Sequence, residues 1–193
     1  YFNIKILQTD FIPIKENVLV RRFTLISENS IDLDIKFLIH QGILSDKNNF
    51  VGCKLIDNGM TQYAHDFMIS TFSKDQKTFS HQIHGSQNNI SSGEIWDKDY
   101  IGMSNDSSIS YDIGKIAPGE KRQIDICMVP QSQPKEMVDL ETEIERIRRI
   151  DFNTEYVKTK NYWRKYVKSH DGLKLKEPKS AYEEKVADIY YRS

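Results

Sequence analysis

Little in this sequence points to a ready-made chemistry. Two cysteines are too few for a disulfide framework, and they form no metal-ligand spacing. Cys53 and Cys127 sit in apolar, strand-like contexts, where one disulfide and two buried free thiols are both open, the thiols being favoured. No apolar run approaches the ~20 residues that span a bilayer. The chain opens Tyr-Phe-Asn, with neither Met nor a signal-peptide pattern, so its natural N-terminus is expected upstream. An excess of one charge is missing as well. With 27 basic and 28 acidic residues the net charge is −1, which gives no electrostatic case for nucleic acid or a membrane surface. There is no glycine-rich phosphate loop and no nucleophile elbow. These absences lead to the expectation of a cytoplasmic chain with no cofactor, no metal and no catalytic constellation of its own.

What is present divides into two textures. Up to about Pro130 the chain reads as short strands. Ile4 and Ile6 alternate with Lys5, the period of a half-buried strand, and Leu33, Ile35, Phe37 and Ile39 repeat the pattern. Further runs cover 17–27, 50–56, 60–65, 67–73, 78–83, 109–116 and 122–129. Asp57-Asn58-Gly59 is a hairpin signal because Asn-Gly tolerates positive φ at both central positions. Ala117-Pro118-Gly119-Glu120 is a second tight turn. Short strands at roughly ten-residue spacing argue for a mainly β fold, an antiparallel β-sandwich. One stretch interrupts them: 85–108 is rich in Ser, Asn, Gly and Asp, a long loop of the kind that is usually functional or mobile.

Beyond the hinge at Pro130 to Pro134 the period changes to that of helices. Leu140, Ile144 and Ile147 step at three and four residues. A second helix is expected to start with Asn153 as its cap and to stop at His170-Asp171-Gly172. Phe152, Tyr156, Trp163 and Tyr166 fall on one stripe of it, with Lys158, Lys160, Arg164, Lys165 and Lys168 over much of the remainder. Such a stripe packs on its own domain or bridges to another. A third amphipathic segment, 178–193, carries Tyr182, Val186, Ile189 and Tyr190 on one side.

Candidate contact residues lie in the long loop. Glu94, Asp97, Asp99 and Tyr100 surround Trp96. An exposed indole stacks on the apolar face of a sugar while neighbouring carboxylates accept its hydroxyl protons. The competing arrangement folds Trp96 inward as an anchor. His81 and His84 are the close histidines, but strand geometry sends them to opposite faces. Asn89 and Asn105 begin glycosylation-type triplets, a pattern common by chance.

The order of strands, helical linker, Asn161-Tyr162-Trp163-Arg164-Lys165-Tyr166, and a helix opened by Ser180-Ala181-Tyr182 resembles the N-terminal region of glycoside hydrolase family 15, the glucoamylase and trehalase group. In that family a Phe-Trp-Arg segment closes the linker, matched here by Tyr162-Trp163-Arg164. The run 17–27, the Asp57-Asn58-Gly59 hairpin and the Pro118-Gly119-Glu120 turn are similar to its sandwich. The resemblance implies an antiparallel super-β-sandwich at 1–130, a helical linker at 131–177, and the start of an (α/α)6 barrel at 178–193. It implies that barrel as partner, an oligosaccharide bound through it, and Tyr162, Trp163 and Tyr166 as domain-interface residues whose exposure would drive self-association of the isolated chain. The family's sandwich has further strands before a position like Tyr1, so edge strands are expected to be missing. Inverting hydrolysis needs two carboxyls ~6.5–9.5 Å apart around a water, and the family's pair belongs to the barrel. No catalytic residue is therefore carried over. A free-standing carbohydrate-binding module and the equivalent domain of a disaccharide phosphorylase are the alternatives.

Overall fold

A computed structural model describes residues 3–42, 51–64, 67–75, 77–93, 95–100, 104, 106–132 and 137–169. Glu94, Asn105, the hinge at 133–134, the stop at 170–172 and the expected helix at 178–193 lie outside them. The chain divides between Ile150 and Asp151 into two compact units. In the first, the described residues form nine strands and one helix: β1 (Ile4–Phe11), β2 (Leu19–Ser27), β3 (Leu33–Gly42), β4 (Val51–Ile56), β5 (Gly59–Ala64), β6 (Phe67–Ser73), β7 (Thr78–Ile83), β8 (Asp106–Ile116), β9 (Lys121–Ser132) and α1 (Met137–Arg148). Two 3-10 turns, Ser86–Asn88 and Ile90–Ser92, interrupt the long loop. The second unit holds α2 (Phe152–Ser169).

The strands make two antiparallel sheets. The larger runs β1-β2-β9-β6-β5-β4 and the smaller β3-β8-β7. Alternation explains the core between them. Ile109 and Tyr111 of β8 meet Ile124 and Ile126 of β9 and Met60 of β5, all 2% exposed or less. Burying each such side chain contributes about 1.5–3 kcal/mol. The Tyr111 hydroxyl donates to the Asn58 carbonyl at 3.0 Å, and burial pushes its phenol pKa up. Strand β3 runs across the larger sheet. Its start faces Ile4, Ile6 and Leu25, Phe37 packs on Phe23 of β2 at 4.8 Å, and Gln41 reaches Thr71 of β6 and Gln62 of β5.

The opposite face of the larger sheet carries Val20, Phe72 and Cys127, partners in register and all buried. Arg22 meets Asp125 there in a two-point ion pair, 2.8 Å at each contact. Helix α1 belongs to this side: Arg148 lies over the Phe72 ring at 5.2 Å and reaches Asp57. Arg146 pairs with Glu16, and Leu140, Ile144 and Ile147 are buried. The cysteines are both free thiols. Cys53 packs on the inner core while Cys127 takes the other face, so the sheet itself separates them. Burial raises both thiol pKa values, keeping the nucleophilic thiolate scarce.

Three local expectations shift. The β4–β5 hairpin closes Ile56 on Gly59, so its two loop residues are Asp57 and Asn58, with Asn58 at φ 53°. Gly59 is already in the strand, and an added Cβ there would collide with the Thr71 carbonyl and Phe72. Helix α2 is capped by Asp151 rather than Asn153. Its carboxylate accepts the Asn153 amide at 3.0 Å and the Thr154 hydroxyl at 2.6 Å. Strand β1 forms, but as a sheet edge with Ile6 and Leu7 largely uncovered.

Candidate functional site

The smaller sheet supplies the frame of the candidate site. On its outer face, away from the core, β8 presents Ser108 and Ser110 between His40 of β3 and Ser80 and Gln82 of β7. A bare serine face would leave hydroxyls competing with water. Here the long loop covers it and answers in kind. Ser86 accepts the Ser108 hydroxyl at 2.9 Å and gives its own proton to Asp106 at 3.0 Å. His40 Nδ1 faces both serines at 3.2 and 3.1 Å. Asp106 also accepts the Gly85 and Gln87 amides at 2.9 and 3.1 Å. Burial alone would raise the Asp106 pKa, but these four-sided hydrogen bonds outweigh it and hold the carboxyl below the usual carboxylate value. His84 and Gly85 both take positive φ, turning the chain out of β7.

Ser86, Ser108, His40 and Asp106 contain the residue types of a nucleophilic site, but their geometry is structural. Ser86 is 0% exposed, so no acyl group reaches its oxygen, and the carboxylate bonds the serine rather than the imidazole. The sequence reading missed this cluster. Its one available signal was the Ser-Ser-Ile-Ser alternation at 107–110.

Further on, residues 95–100 are laid along the free edge of β7. Lys98 bridges to Gln82 in parallel sense, donating to the His81 carbonyl at 3.2 Å and accepting the Ile83 amide at 3.0 Å. Gln82 Oε1 accepts the Trp96 amide at 3.4 Å and the Asn89 side chain at 3.0 Å. Alternation then sorts the side chains. Asp97 and Asp99 turn to one side and flank His81, at 3.4 Å from Nδ1 and 2.9 Å from Nε2. Trp96, Lys98 and Tyr100 take the other side, where Tyr100 stacks on His84 at 4.4 Å. Trp96 is 62% exposed and therefore no inward anchor. Its own amide is tied to Gln82, and Lys98 two residues on bridges to β7, so the exposed ring sits on a tethered segment.

Of the five candidate contact residues the structure describes four, and it divides them: Asp97 and Asp99 lie on the His81 side of the segment, Trp96 and Tyr100 on the other, while Glu94 lies outside the described residues. Each of the two carboxylates keeps one oxygen turned from the imidazole contacts, and both side chains are well exposed. The exposed indole alone offers a flat apolar face of the kind that stacks on a sugar ring. Among the described residues no group of three or more His, Cys, Asp or Glu side chains gathers as a metal site.

In the second unit, Tyr162, Trp163 and Tyr166 pack on each other, with centroids 5.5–6.3 Å apart. Trp163 is 54% exposed. Among the described residues no helix is long and apolar enough to cross a membrane.

Two antiparallel sheets followed by helices define the class: a mainly β sandwich. No protein-family model matches the chain, and no curated protein matches its sequence. Among solved structures it is similar in fold to a protein described as a kojibiose phosphorylase from the human microbiome, with TM-score 0.55 and 13% identity over 82% of this chain. It is also similar to a bacterial glucoamylase complexed with acarbose, with TM-score 0.51 and 11% identity over 86%. The chain covers 21% and 25% of those two proteins, about a quarter of their length or less.

Proposed function

We propose that this chain is the non-catalytic sandwich and linker of a carbohydrate-active enzyme of the family 15 type, supporting an (α/α)6 barrel that hydrolyses α-glucosidic bonds. The observation that carries the reading is the pairing of coverages. More than four-fifths of this chain follows the fold of two saccharide-processing enzymes, yet it accounts for a quarter or less of either. In this reading residues 1–130 are the sandwich, 131–177 the linker and 178–193 the start of the barrel. Tyr162, Trp163 and Tyr166, exposed on α2, are the interface with that barrel. The Trp96–Tyr100 strip is the sandwich's own saccharide contact.

A second reading, the equivalent domain of a disaccharide phosphorylase, is favoured by the higher TM-score of the kojibiose phosphorylase likeness. Phosphate separates the two. The longer enzyme carrying this chain should release glucose from maltooligosaccharides without phosphate under the first reading and require phosphate under the second. The isolated chain should do neither. Glucose or glucose 1-phosphate release that tracks the purified 193-residue chain, and disappears with a point substitution in it, would overturn the non-catalytic assignment.

A further inference from the structure

An exposed indole stacks on a ligand only if the chain beneath it is held, and three groups reach the segment that carries Trp96. Lys98 joins the edge of β7 through main-chain bonds to His81 and Ile83, two residues beyond the ring. Asp97 and Asp99 reach His81, and Asp97 also accepts the His81 amide at 3.1 Å. Their side chains are 68% and 79% exposed, and ion pairs so open to water contribute little. The third group is the side chain of Gln82, which is 4% exposed on the outer face of β7. Its partners fix its orientation, because they cannot exchange roles. The Trp96 amide only donates and the His84 carbonyl only accepts, so Oε1 faces the first at 3.4 Å and Nε2 the second at 3.5 Å. Oε1 then also accepts Asn89 Nδ2 at 3.0 Å. Asn89 is the residue at which the two 3-10 turns, Ser86–Asn88 and Ile90–Ser92, join. One buried oxygen thus ties both the turns and the Trp96 end of the segment to β7.

We infer that Gln82 is the positioning residue of the saccharide contact, holding Trp96 in place through the main-chain amide of that residue. The inference rests on the proposed saccharide reading of Trp96. Gln82 itself touches no sugar. Its contribution is order in advance of binding: a segment already fixed has less freedom to lose when a ligand stacks on it. Removing the acceptor leaves two donors without their partner at a buried position, which costs more than the bond itself gains. The Trp96 end should then open locally while Lys98 stays on the edge, since its bonds to His81 and Ile83 are main-chain bonds.

Amide exchange and maltoheptaose titration, measured on the same variants, test this. Gln82→Met keeps the length of the side chain and replaces a strong acceptor with a weak one. In it the Trp96 amide should exchange about fivefold faster, the factor expected of one lost hydrogen bond. The amides of Lys98 and of β9 should keep their native rates, and maltoheptaose affinity should fall by a similar factor. Gln82→Glu, which retains acceptor oxygens, should bring both values back toward native. His81→Phe removes both ring nitrogens and should leave the Trp96 amide at its native rate. The inference is overturned by a Trp96 amide that Gln82→Met does not accelerate, by faster exchange with unchanged affinity, or by His81→Phe matching Gln82→Met. No binding of maltoheptaose by the native chain would instead refute the saccharide reading itself, with the exchange rates still separating a held Trp96 from a loose one.

Discussion

Residues 107–111 of strand β8 are buried on both faces, yet by opposite means. Inward, Ile109 and Tyr111 meet an apolar core. Outward, Ser108 and Ser110 lie beneath a loop that answers them with Ser86, while Ser80 of β7 sits beside Ser110. The inner face gains from removing carbon from water, which needs no direction. The outer face gains little net energy per hydrogen bond but loses much when a partner goes missing. A serine-rich face therefore holds a loop in one place without adding much stability. That suits a segment that, in the proposed reading, displays Trp96.

The largest effect should come from the inner face. Ile109→Ala leaves a cavity between the sheets and should cost about 2–4 kcal/mol in chemical denaturation. Ser108→Ala should cost less, about 1–2 kcal/mol, by leaving Ser86 and His40 short of a partner. Equal losses at the two positions would break the distinction between the faces.

Acid should separate them further. The Asp106 carboxyl titrates below its unfolded value of ~3.9. Its contribution is thus complete above that value and is lost as pH falls through the lower, folded pKa. Amide exchange at Gly85 and Gln87, whose N–H groups Asp106 accepts, should accelerate in that acid window before the core amides of β9 do. In Asp106→Asn the same amides should exchange faster already at neutral pH, with no acid step. A step that persists in Asp106→Asn would place the titration elsewhere.

How much of this was legible beforehand follows from the range of the interactions. Alternating Leu33, Ile35, Phe37 and Ile39 announced β3, because strand period is local. The sandwich and the first two helices were legible in the same way. The hairpin slipped by one residue because Gly59 answers to close packing against β6, a tertiary demand that the Asn-Gly pattern does not carry. Composition suggested a loose loop at 85–108. Its partners, the outer hydroxyls of β8 and both nitrogens of His81, become visible only once the sheet is assembled. Trp96 was readable as a candidate, but its outward orientation depends on the Lys98 bridge.

The smallest effect on stability should be at the exposed indole itself. Trp96→Ala should change the unfolding free energy by no more than about 0.5 kcal/mol, as for surface substitutions generally. A drop comparable to that of Ile109→Ala would make the ring a structural anchor.

The central claim is that the outer polar layer exists to hold a saccharide-contact strip, and calorimetric titration tests it most directly. Maltoheptaose titrated into the native chain and into Trp96→Ala, with melting temperatures measured alongside, should show binding to the native protein. The variant should bind about tenfold more weakly, the ~1.4 kcal/mol expected of one lost ring contact, at an unchanged melting temperature. Equal heats for the two proteins, or no binding to the native chain, would contradict the account and leave Trp96 without a role in saccharide recognition.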